Sequence, residues 1–117
     1  GMPRRSVRAA LATGKHVILR VDVQGAESLR PLLRGALFVS LEPETPEALR
    51  HHLERRGSET REQIERRLAI ALEEIARAQA FSVSLKNVEG DLDATVAAMR
   101  ALIEREAARA DRVPVEV

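Results

Sequence analysis

The sequence has no cysteine, no tryptophan and no tyrosine. Without cysteine there are no disulfides, no thiolate metal ligands and no sulfur nucleophile, a usage that suits a reducing compartment. Phe38 and Phe81 are the only aromatic residues, 2% of the chain. Stacking platforms for single-stranded nucleic acid are therefore missing, and any core must be aliphatic and alanine-rich. No apolar run approaches the roughly 18 residues that span a bilayer, and the arginine-rich start is not followed by the apolar stretch of a signal peptide. Neither sign of charge dominates: 19 Lys plus Arg against 18 Asp plus Glu leave a formal +1, too weak a field to draw DNA or anionic lipid. The expectation is a soluble cytoplasmic protein with neither nucleic acid nor membrane as partner.

What is present is ordinary for a globular chain: 117 residues, 44% of them hydrophobic, enough for one domain with a real core. Pro3 fits the first turn of a short helix through Val7, Ala10 and Leu11, which Gly14 is suited to end in the left-handed conformation. His16 to Val21 reads as a strand. A helix carrying Leu29, Leu32 and Leu33 follows from Gln24-Gly25, with Pro31 shortening or kinking it. Ala36 to Leu41 reads as a second buried strand. Thr45-Pro46-Glu47 starts a helix with a hydroxyl cap, a proline at the first position and a carboxylate at the positive end of the dipole. It should stop near Arg56-Gly57. Thr60-Arg61-Glu62-Gln63 is a capping box for a long helix with Ile64, Leu68, Leu72, Ile75 and Ala78 on its apolar face. Ser82 to Lys86 alternates as a strand, and Asp91 opens a last helix with Leu92, Val96, Met99 and Ile103 inward. Helices alternating with short aliphatic strands predict a parallel α/β sheet with helices on its faces.

Several stretches are similar, in order and separation, to guanylate kinases. Gly1-Met2-Pro3 resembles the end of that family's Tyr-Gly-Ser/Thr segment. Gly14-Lys15 and the run Val17 to Ala26 resemble its strand ending in Asp-x-Gln-Gly-Ala. Leu53 to Thr60 resembles the lid, Ile64 to Leu68 the helix returning from it, and Asn87 with Asp91-Leu92-Asp93 the last strand-to-helix turn. The resemblance covers about residues 1 to 107. It implies a domain over 1–109 with a lid at about 50–68, followed by a frayed tail at 110–117, and an ATP:GMP phosphotransferase making GDP from GMP.

The resemblance also assigns residues. Arg56 and Arg67, on either side of the Gly57-Ser58 turn, become the catalytic arginines. Phosphoryl transfer spreads negative charge over the equatorial oxygens, and guanidinium forks on a closing lid answer that charge. From spacing alone, Arg55, Arg56, Arg66 and Arg67 read as a solvated basic face, and only the resemblance reverses that reading. Asp22 is placed beside the acceptor nucleotide or its magnesium, although a strand-end Asp is commonly a helix cap. Met2 stands at the guanine-reading position, and Asn87, with Arg56, on the ATP side. ATP and Mg2+ are the implied cofactors of the parent protein and GMP and ATP its ligands, with none bound tightly by this chain. No protein metal site is expected: adjacent His51 and His52 point about 100° apart on a helix.

Three positions depart from the family pattern. Arg20 replaces an acidic residue, His52 an arginine, and Met2 the Ser or Thr that helps read guanine. The larger departure is the phosphate-binding Gly-x-x-x-x-Gly-Lys-Ser/Thr loop, which does not occur; Gly14-Lys15 is a near miss, with Ala9 and His16 in the wrong places. The expected fold is thus a partial parallel sheet with helices on both faces and the central phosphate-loop strand absent. This truncated chain is expected to be inactive alone and prone to self-association through unpaired strand edges. The alternatives are a non-catalytic guanylate-kinase-like protein-binding module and a functionless fragment.

Overall fold

A computed structural model describes residues 4–55, 57, 59–109, 112, 114 and 115. Among them are five helices and two strands: α1 (Arg4–Leu11), α2 (Val23–Leu29), β1 (Val39–Pro43), α3 (Pro46–Glu54), α4 (Arg61–Gln79), β2 (Val83–Asn87) and α5 (Leu92–Ala107). The strands run parallel in register from Val39 opposite Val83 to Pro43 opposite Asn87. Such a pairing requires a crossover, and α3 and α4 form it. The α/β class expected from the alternation of elements is the class observed.

Local chemistry accounts for most boundaries. Gly14 takes φ +79° just after α1, a conformation that side chains with a Cβ rarely adopt. α2 stops at Leu29, two residues before Pro31, so the proline shortens this helix, and Leu32 and Leu33 fall in the turn beyond it. β1 lies further along than the apolar run Ala36 to Leu41 suggests. Its ladder starts where the Val83 N–H donates to the Phe38 carbonyl at 2.9 Å, and pairing with β2 carries it to Pro43. The two phenylalanines meet edge to face, centroids 5.6 Å apart, and the Arg30 guanidinium lies 4.8 Å from the Phe81 ring centre. The scarce aromatics are thus spent together beside the start of the sheet.

Other expectations fail in whole or in part. His16 to Val21 is not a strand: the segment is irregular, with Ile18 70% exposed. A strand exists only through its ladder, and no neighbouring strand stands beside this run among the described residues. The inward face of α5 holds at Met99 and Ile103, which are half-buried, and fails at the start of the helix. Leu92 is 72% exposed and Val96 lies open, while Thr95 is buried. The cause is a polar tether. The Val88 N–H donates to Thr95 Oγ1 at 3.1 Å, and that hydroxyl donates to Asn87 Oδ1 at 3.1 Å. In α4 the predicted apolar face holds at Ile64, Leu68, Ile75 and Ala78, whereas Leu72 is exposed and Ala71 turns inward. The buried apolar residues are few: Val7, Leu33, Leu53 and Leu68. The expectations placed on Pro3, Ser58 and most of the tail fall outside the described residues.

Candidate functional site

The helical hairpin of α3 and α4 is fixed at its ends by short-range bonds. Thr45 Oγ1 accepts from the Ala48 N–H at 3.0 Å, with Pro46 in the first turn. The Thr60 N–H donates to Gln63 Oε1 at 2.8 Å, and the Gln63 N–H returns to Thr60 Oγ1 at 3.2 Å, so both halves of the capping box form. Between the helices Gly57 takes φ +72°, a turn that a residue with a side chain would strain. A two-point ion pair braces the helices across this turn: Arg50 Nη1 meets Glu65 Oε1, and Nη2 lies 3.1 Å from Oε2. Hydrogen bonding from Arg50 holds the Glu65 carboxyl below its ordinary value, and the same bond raises the arginine.

Arg67 lies on α4, roughly two turns from its start. Its Nη1 bonds Glu59 Oε1 in the linker before the helix. A guanidinium has five N–H donors, and Glu59 is the acceptor that Arg67 finds among the described residues. Asn87 closes β2 and lines an open cleft of about 550 Å³ with Leu41, His52, Arg55, Glu89 and Leu92. Its Oδ1 is taken by Thr95, while its NH2 has no hydrogen-bond partner among the described residues. Across the mouth of the cleft Arg55 Nη1 stands 3.7 Å from Glu89 Oε1. Glu44 Oε1 accepts from the Glu89 N–H at 2.9 Å and steadies that loop.

Asp22 is the N-cap of α2, its Oδ1 accepting from the Gly25 N–H at 2.7 Å. This is the common role of a strand-end Asp. Neither Asp22 nor Arg67 lines the cleft at Asn87. α2 meets the far end of α4 through Glu27 and Arg77, ten residues or about 15 Å along the helix from Arg67. The described structure therefore holds the candidate residues at three separate places. Met2 and Arg56 lie outside the described residues. The described residues do not by themselves fit a magnesium site. Asp22 is a solitary capping carboxylate, and no group of three or more His, Asp or Glu among the described residues could hold a metal ion.

Sequence reasoning missed three acidic residues. Glu59 precedes the capping box and Glu89 follows Asn87, but neither spacing announces its arginine partner. Glu42 is only 2% exposed. Its Oε1 accepts from Gln79 Nε2 at 3.1 Å and Lys86 Nζ at 3.4 Å, and its Oε2 is buried without a partner. Its place directly after the apolar run Ala36 to Leu41 gave no sign that it would be buried.

The sequence matches the guanylate kinase family over residues 1–106. It is similar to "Guanylate kinase 2, chloroplastic/mitochondrial" of Oryza sativa subsp. japonica, 36% identical over 118 residues that cover 100% of this chain and 41% of that protein. It is 36% identical over 112 residues to a guanylate kinase of Alkalilimnicola ehrlichii, covering 96% of the chain and 54% of the relative. A guanylate kinase of Nocardia farcinica is 43% identical over 89 residues, 76% of the chain and 46% of the relative. The chain spans about half the length of the curated relatives it matches. On a match that runs through nearly all of its residues, the chain belongs to the guanylate kinase family.

Proposed function

We propose that this chain is the lid and part of the nucleotide-binding edge of a cytoplasmic ATP:GMP phosphotransferase that works with Mg2+. The γ-phosphoryl group of ATP passes to an α-phosphate oxygen of GMP, leaving ADP and GDP. The lid is residues 50–68, Arg56 and Arg67 its catalytic arginines, Asp22 and Met2 acceptor-side residues, and Asn87, with Arg56, the ATP-side contact. The family match carries this reading. The braced α3–α4 hairpin supports it, because two helices joined at a glycine turn and tied by Arg50 and Glu65 can swing as one piece. Arg67 supports it too, since one N–H is committed to Glu59 and the others are left to meet phosphate oxygens. Magnesium, when bound with the nucleotide, would shield phosphate charge.

In the full-length protein, Arg67→Ala should lower kcat for GMP-dependent ADP release by roughly 10²-fold or more, as for a group that acts on transition-state charge. Its melting temperature should fall only slightly, because the half-buried pair with Glu59 is still partly screened by solvent. An unchanged kcat would remove Arg67 from the chemistry. The isolated 117-residue chain should show no turnover, and measurable GDP formation by it would overturn that part of the proposal.

A further inference from the structure

Glu59 stands at the entry to α4. It directly precedes Thr60, whose backbone and side chain are both bonded to Gln63. Long side chains on a helix lean toward its N-terminus, so Arg67 reaches back along α4 and meets the Glu59 carboxylate eight residues earlier. The pair is sheltered, the Glu59 side chain 20% and the Arg67 side chain 39% exposed. Only Oε1 is used among the described residues; Oε2 is buried with no hydrogen-bond partner among them. A buried acceptor without a donor is unfavourable, and the guanidinium already on Oε1 has N–H groups to spare. A two-point contact would satisfy Oε2 and fix the guanidinium plane as well as its position.

We propose that Glu59 is a positioning residue for Arg67: it holds the guanidinium at the root of the lid in one orientation, with its remaining N–H groups directed as a set toward the transferred phosphoryl group. This rests on the functional reading of Arg67 given above. Misplacing a charge-stabilising group by about an ångström can cost as much as 10²-fold in rate, so a residue that touches no substrate can still set kcat.

The test uses the full-length protein. Glu59→Gln keeps the shape of the side chain and removes its charge. It should lower kcat about tenfold while KM for GMP and ATP stays within about twofold, because orientation matters most in the transition state. In an Arg67→Lys background the same change should cost less than about twofold, since paired residues are not additive. Equal losses in both backgrounds, or a kcat for Glu59→Gln within about twofold of wild type, would overturn the proposal. If Arg67→Ala itself leaves kcat unchanged, the functional reading has failed and a second readout decides whether Glu59 holds Arg67. Exchange of the Arg67 Nε–H with water, followed in 15N-arginine spectra, should quicken about tenfold in Glu59→Gln while that of Arg50 does not change. An unaltered Arg67 rate there rejects the tether.

Discussion

Glu42 is a buried carboxylate held between α4 and β2 by Gln79 and Lys86. Burial by itself would raise its carboxyl, but the polar side chains of Ser84, Gln79 and Lys86 beside it outweigh burial and leave it below the ordinary value of 4.5. A carboxyl depressed in the folded state contributes stability that is present above its unfolded value and is lost as pH falls through the folded one. Glu42→Gln should therefore destabilise the protein at pH 7 by about 1–3 kcal/mol, the usual loss for a hydrogen-bonded charge. The gap from wild type should close below about pH 4, as the native carboxyl protonates. Urea midpoints at the two pH values read this directly, and a gap of equal size at both would mean that charge is not what Glu42 supplies. Such a residue is hard to find from sequence, because its partners sit on α4 and β2, far away along the chain. Thr45 and Thr60 were easy to read, since their acceptor and donor groups lie within three residues. Asp22 could be read two ways, and its visible bond in this structure is the cap.

Segments bounded by local chemistry were readable, and those bounded by neighbours were not. The start of α4 follows from a four-residue code, and both of its bonds are present. Thr60→Ala should cost about 1 kcal/mol, the usual loss for an N-cap, and lower the thermal midpoint. A midpoint equal to wild type would show that α4 is held by packing alone. By contrast, His16 to Val21 has the residues of a strand and lacks the ladder, while the start of α5 carries Leu92 and Val96 on a side that its Thr95 tether turns outward. In both cases the pattern specifies which side wants covering, and a contact elsewhere in the fold determines whether it is covered. The site divides in the same way: Arg67 and Asn87 came from motif resemblance, whereas Glu59 and Glu89 became visible only as contacts.

The chain exposes 8805 Å², where a compact monomer of this size would expose about 6,300 Å². Its radius of gyration is 16.5 Å, against about 13 Å for a compact domain of this length. The excess has an apolar component: Ile18, Leu41 and Leu92 all stand open, and the two-stranded sheet has unpaired edges among the described residues. Open edges and apolar patches of this kind invite association. The isolated chain should self-associate, its weight-average mass in sedimentation equilibrium rising with concentration, and Leu41→Lys with Leu92→Lys should reduce the effect. A monomer at every concentration, with or without those changes, would show that the exposed surface is inert.

The crossover has one more consequence, for the order of assembly. β1 and β2 are neighbours in space, yet everything between Pro43 and Val83, the α3–α4 hairpin included, must fold back before their register can form. Closing so long an excursion is entropically costly until its helices have shortened it. The sheet should be the last part to zip, and its rate should depend on how readily the hairpin forms first.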